Sequence, residues 1–325
     1  MAPTLSLELI YLCIEAGRDF LPTLLKFSLV SKGCSREAKK YLFEKIRLNR
    51  KKEGEAPGPE YQSRRIRGLF EILTSSKAVA TSVRALDIKL EPMLNETDTY
   101  IKDLPSVLDL LPGVKSLSIN APDNAPRQNW DTLPNTLKSS VARICSTSSI
   151  ANLDFSNFSN FPEDLLMLST QISSLSLAQI EGPVGTKSER VVPSGRVPSP
   201  RLSSLTTYNL PLVVWNCLLR NPEWLCSLKE ISWFGWTPQD FDTFCCVIRH
   251  CAPALKELVI AVLLPWQDPT NNSFHFEDMA IIPLPENVCL ISYAPSAQQL
   301  GGNIDPLGTH PHLLLAKYVA VPTQH

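Results

Sequence analysis

A short apolar pattern recurs seven times along this chain and dictates what it can fold into. It reads apolar-x-x-apolar-x-apolar, or nearly so, in Val83–Leu90, Val114–Ile119, Ile150–Phe155, Ile172–Leu177, Leu202–Thr206, Leu228–Ser232 and Leu255–Ile260. Within each copy the last positions alternate, which sends every second side chain to one face of a half-buried strand. Taking Leu86, Leu117, Leu153, Leu175, Leu205, Ile231 and Leu258 as anchors, successive differences are 31, 36, 22, 30, 26 and 27. Those intervals sit at or above the 20–29 residues of a leucine-rich repeat. The middle leucines Leu117, Leu153, Leu175 and Leu258 are expected inside, and Ser118 and Ser176 on the opposite face.

Helical patterns fill the intervals. Leu69–Leu73 precedes the first copy, and Leu104, Val107, Leu108 and Leu111 precede the second. Leu137–Cys145 and Leu165–Leu168 precede the next two. Thr237-Pro238-Gln239-Asp240 has the composition of a helix start, with proline tolerated in the first turn. The pattern predicts a helix from there to about His250, before Leu255–Ile260. One strand and one helix per unit, stacked side by side, make a solenoid with a parallel sheet on its concave side. The asparagine or cysteine that often follows such a strand is mostly absent, so the repeat is degenerate. Residues 181–200 are rich in Pro, Gly and Ser and read as a surface insertion between two strands.

The first fifty residues follow another pattern. Leu5–Ile10, Leu24–Ser31 and Ala38–Ile46 read as three short helices. Ser6 or Thr4 can cap the first and Gly17 can end it. Leu9, Cys13 and Ala16 share one stripe, with Leu7, Ile10 and Ile14 on an adjacent one. Pro22 suits the start of the second helix, which is apolar on nearly every side. About fifty residues have too little interior to hide such a helix. It must pack on a partner or on the domain that follows.

These blocks, with Ser28-Leu29-Val30-Ser31, then Ala38, Leu42-Phe43 and Ile46, resemble an F-box. The resemblance is to the F-box-like proteins with irregular leucine repeats expanded in mushroom-forming basidiomycete fungi. Ser6 and Cys34 stand where such segments commonly carry proline and tryptophan. The resemblance implies docking on a Skp-type adaptor of a cullin ubiquitin ligase through Leu5, Leu7, Leu9, Ile10, Leu24, Leu25, Leu29 and Val30. It also implies a substrate-recognition role, with the chain a monomer within the ligase complex. The competing class is a leucine-rich-repeat scaffold without ligase docking.

The expected fold is therefore α/β. A three-helix F-box-like module spans residues 1–48 and a linker 49–65. A degenerate leucine-rich-repeat domain spans 66–293 and a tail 294–325.

Composition suits a folded, water-exposed chain: 325 residues, 44% hydrophobic, 19% charged and net charge −1. Glu8 and Glu15 interrupt the first apolar stretch, so no export signal is expected. The apolar run near Leu258–Leu264 is far short of the ~20 residues a membrane span needs. Nine cysteines lack a framework spacing, and reduced thiols in a cytoplasmic or nuclear protein are expected.

Chemistry-bearing motifs are few. Cys245, Cys246, His250 and Cys251 lack the paired spacing of zinc ligands, and adjacent helical residues point about 100° apart. No metal or other cofactor is expected. No phosphate loop, nucleophile elbow or His-Glu zinc helix occurs, so an enzyme is not expected. Residues 26–52 hold ten Lys or Arg against Glu37 and Glu44. Lys32, Arg36, Lys39 and Lys40 cluster on one helix side. That side is either a solvated face or a contact for an acidic protein, and net charge argues against a nucleic-acid partner. Trp233 and Trp236 are the candidates for target contact on the concave sheet, whereas Trp215 and Trp224 lie in apolar helical context.

Overall fold

The computed structural model describes residues 6–48, 60–90, 99–122, 125–147, 149–169, 171–182, 201–208, 210, 212–235, 238–263 and 287–293. They form an α/β chain with amino-terminal helices and parallel strands. It divides into two compact units, Met1–Ile119 with Leu133–Ile150, and Asn120–Thr132 with Ala151–His325. The expected insertion at 181–200 is described only to residue 182, and the tail 294–325 lies outside the described residues. Among the described residues no helix is long and apolar enough to cross a membrane.

The first unit begins with α1 (Leu7–Ala16), α2 (Leu21–Ser28) and α3 (Lys32–Leu42). There follow β1 (Lys45–Leu48), α4 (Glu60–Ser75), α5 (Lys77–Ser82), β2 (Ala85–Lys89), α6 (Thr99–Asp109), β3 (Ser116–Asn120) and α7 (Asn135–Cys145). Strands β1, β2 and β3 run side by side in that order. Ile46 pairs with Leu86 and Leu48 with Ile88, in parallel. Helix α6 packs between α4 and α7. Asp109 ties α6 to α7 by accepting from Arg143 Nη2 at 2.8 Å and Ser140 Oγ at 3.0 Å.

Several boundaries differ from expectation: the second helix, expected to reach Ser31, ends at Ser28, and the first, read over Leu5–Ile10 with Gly17 as its stop, begins at Leu7 and runs to Ala16. The helix expected over 38–46 ends at Leu42, and Lys45–Leu48 is a strand. Lys45-Ile46-Arg47-Leu48 alternates polar and apolar, so pairing with β2 overrides continuation of the helix. Residues 60–65, expected in the linker, already form the first turns of α4.

The second unit holds β4 (Gln128–Asn129), β5 (Asn152–Ser159), α8 (Asp164–Met167), β6 (Ser174–Ile180) and β7 (Ser204–Tyr208). It continues with α9 (Leu212–Leu219), α10 (Pro222–Leu225), β8 (Glu230–Gly235), α11 (Pro238–Cys251), β9 (Glu257–Leu263) and β10 (Asn287–Tyr293). Strands β5 to β10 pair in sequence order, all parallel, with β4 beside β5. The register carries one apolar row across five strands: Leu153, Leu175, Leu205, Ile231 and Leu258. Each is at most 1% exposed. Ser176, next to Leu175, is half-buried on the other face, as the alternation requires.

All seven expected strands are present, each beginning two residues later than the pattern that announced it. Three further strands were not expected. They are β1, the two-residue β4, and β10, whose Val288 and Leu290 lie beside Leu258 and Ile260.

Strand β5 departs from strict alternation. Asn157 has φ 62° and is buried, with Phe155 and Phe158 buried on either side of it. Asparagine tolerates this left-handed conformation better than most residues. Its Nδ2 is hydrogen-bonded to Pro122 O and, at 3.4 Å, to Ala125 O. The resulting twist lets Phe155, Phe158 and Phe161 gather round Trp130 with ring centroids 5.4–6.2 Å from it.

A second row reads Phe155, Leu177, Thr207, Trp233 and Ile260. Thr207 is its polar exception, wholly buried, and its hydroxyl has no hydrogen-bond partner among the described residues. A buried, unsatisfied hydroxyl costs on the order of 1–3 kcal/mol. Thr207→Val keeps the shape and removes that group. It is expected to raise stability by about 1 kcal/mol in urea denaturation. A loss of similar size would show that the hydroxyl has a partner.

Candidate docking surface

The three amino-terminal helices are set by local signals. Ser6 caps α1 in an extended conformation, and its side chain accepts from Leu9 N at 3.4 Å. Gly17 closes α1, its N–H donating to Cys13 O at 3.0 Å and that of Arg18 donating to Glu15 O at 3.1 Å. Pro22 lies in the first turn of α2. Ser31 caps α3 by accepting from Cys34 N at 3.1 Å.

Ile14, Leu24, Cys34 and Ala38 form the interior of this module, with Ile10, Tyr11, Phe27, Tyr41 and Leu42 packed against it. Cys34 and Ala38 are one turn apart on α3, and their small side chains let α1 and α2 approach closely. Burial, then Glu15 and Glu37 nearby, push the Tyr41 phenol up. A hydrogen bond at 2.7 Å to Glu37 likewise raises the Lys40 ammonium.

The outer sides of α1 and α2 are apolar and uncovered. On α1, Leu9, Leu12, Cys13 and Ala16 are exposed at helical spacing. On α2 and just beyond, Leu21, Leu25 and Leu29 are exposed at intervals of four, Leu29 to 86% and neighbouring Val30 to 67%. Of eleven large apolar side chains exposed among the described residues, eight lie between Leu7 and Val30. Scattered exposed leucines need no explanation, but this concentration marks a surface made to be covered.

The positions assigned to adaptor docking therefore separate. Leu7, Leu9, Leu25, Leu29 and Val30 are exposed. Ile10 is half-buried against the module's interior. Leu24 is a correction: it is 1% exposed and holds the module together, because the residue before Leu25 must face Ile14, Cys34 and Ala38. Leu5 lies outside the described residues. Leu12, Phe20 and Leu21 join the exposed set without having been expected there. Leu12, three residues after Leu9, was legible from helical spacing; Phe20, in the turn before α2, carries no periodic signal.

The target-contact residues also need correcting. Trp233 is 1% exposed and stacks on Phe244 of α11, ring centroids 4.8 Å apart and planes 15° apart. It belongs to the helix-covered face of the sheet, since Ile231 and Trp233 alternate with half-buried Ser232 and Phe234. Trp236 lies outside the described residues. On the open face the aromatic pair is Tyr208 and Phe234, 6.1 Å apart. Trp215 and Trp224 are buried, as their apolar context implied.

Cys245 is buried, and the Cys251 thiol donates to Val247 O at 3.3 Å. His250 Nδ1 lies 2.8 Å from Cys246 O. Burial pushes Cys145 and Cys251 up to about 12 and Cys217 up to about 11, so these thiols stay protonated at neutral pH. No group of three metal-ligating side chains converges among the described residues. Comparison with family models, with curated proteins and with solved structures gave no match.

Proposed function

We propose that this chain is the substrate-recognition adaptor of a Skp–cullin–F-box ubiquitin ligase. In this reading α1 to α3 are the F-box-like module and the parallel strands with their helices are a degenerate leucine-rich-repeat solenoid. The module docks on the Skp-type adaptor, and the open face of the sheet holds a protein target near the transferred ubiquitin. The chain performs no covalent step. The observation that carries the reading is the uncovered apolar face of α1 and α2. It contains five of the positions that the F-box resemblance assigns to docking, in a module whose interior is otherwise complete. Its large apolar residues leave half or more of their surface uncovered in the unit that carries them, Leu7 narrowly excepted at 49% exposed. A second support is the open face itself, with Tyr208 and Phe234 among Ser176, Thr206 and Ser232. Such a face has an aromatic anchor and adaptable hydroxyls around it.

Co-expression with a Skp-type adaptor tests the reading. The adaptor is expected to co-purify with the chain. Leu9→Asp combined with Leu25→Asp is expected to abolish it, because each places a carboxylate in an apolar contact at a cost of several kcal/mol. Both residues are half-exposed, so circular dichroism and melting temperature are expected to stay unchanged. Co-purification at wild-type strength by the double variant, or none by the native chain, would leave a repeat scaffold without ligase docking.

A further inference from the structure

A polar groove of about 930 Å³ lies beside α3 in the first unit, apart from the apolar face. Its walls are α3 and the α5–β2 segment. Lys32, Arg36 and Lys39 project from α3 at steps of four and three, which sets them on one stripe. All three are exposed, and among the described residues none forms an ion pair. Arg84 faces them, its Nη1 donating to Gly113 O at 3.1 Å. Hydroxyls of Ser35, Thr81 and Ser82 are among the rest of the lining.

The charge balance of the groove opposes that of the chain. Lys32, Arg36, Lys39, Lys40 and Arg84 face only Glu37 and Glu44, so five cations and two carboxylates leave +3. The whole chain carries −1. Glu37 is already engaged by Lys40 at 2.7 Å. Like charges four apart on a helix repel and destabilise it. A stripe of three with no ion-pair partner among the described residues is thus a local cost that an external anion relieves.

We propose that this groove seats an extended acidic segment of a protein partner. The stripe from Lys32 to Lys39 covers about 10 Å at the helical rise. An extended peptide covers that length with about four residues. Several carboxylates along a chain match cations strung out in this way. One phosphate would call for a convergent pair of arginine forks. Among the described residues Tyr41 is the one aromatic side chain lining the groove and it is half-buried in the module, so they form no stacking platform for bases. The proposal does not depend on ligase docking, since the uncovered leucines are separate from the groove-lining residues.

Fluorescence anisotropy on the full chain tests it, with a labelled octapeptide of alternating Glu and Ala. Saturable binding is expected at low salt, falling about tenfold or more as screening rises toward 0.3 M. Lys32→Glu with Arg36→Glu and Lys39→Glu is expected to weaken it at least about tenfold. The neutral triple variant to Gln should lie between, and it serves where charge reversal disturbs folding. Lys229→Glu with Lys256→Glu, exposed cations of the other unit, should leave affinity unchanged. Absence of saturable binding overturns the proposal, and so does an equal loss in the Lys229/Lys256 control. Tighter binding of a singly phosphorylated neutral octapeptide, or of an octauridylate, would equally overturn it.

Discussion

Leu24→Asp is expected to unfold the three amino-terminal helices, whereas Leu25→Asp, one residue later, should leave them intact. Leu24 is 1% exposed among Ile14, Cys34 and Ala38, with no cationic side chain in that cluster to pair a carboxylate. A buried, unpaired aspartate costs on the order of 4 kcal/mol or more, comparable to the whole stability of so small a module. Leu25 is half in solvent, and an aspartate there keeps its hydration, so the change stays within about 0.5 kcal/mol. Because the chain has two units, a single unfolding free energy is poorly defined. The fitting readout is amide hydrogen exchange over residues 7–42. Protection should vanish in the first variant and persist in the second. Equal behaviour of the two would mean that α2 is rotated about its axis relative to the packing described.

Trp233→Ala is expected to cost about 3–5 kcal/mol in the second unit, through lost burial and the cavity left behind. The indole is stacked on Phe244 and sits between Thr207 and Ile260 in its row. Gly235, two residues on and on the same face, leaves room for the ring, since a Cβ there would overlap it. Phe234→Ala, on the open face, should cost about 1 kcal/mol or less. Urea denaturation of the pair separates the faces. A larger loss at Phe234 would reverse the assignment of open and covered sides.

The repeating strands were legible because alternation is a two-residue signal that survives irregular spacing. Leu175 and Leu177 announce a buried face whether the next copy comes 22 or 36 residues away. Strand β1 was hidden for the opposite reason. Phe43 and Ile46 lie three apart and continue the apolar period of α3, so only pairing with β2 shows where the helix ends. At the exposed apolar face the sequence identified an over-apolar α2 but could not orient it. Leu24 and Leu25 are neighbours about 100° apart, and which one turns inward depends on Ile14, Cys34 and Ala38 from two other helices. Trp233 shows the same limit. Alternation placed it with Ile231, but α11 decides which face is covered.

The row Leu153, Leu175, Leu205, Ile231, Leu258 also bears on how damage spreads. Each strand of this ladder borrows its stability from the two beside it, and nothing ties β5 to β9 directly by backbone pairing. Cooperativity in such an arrangement decays with distance along the stack. A lesion at one end frays the strands next to it and leaves the far end closed. A protease would therefore find its first cuts near the weakened end, and the fragment left behind would be a shorter but still folded stack.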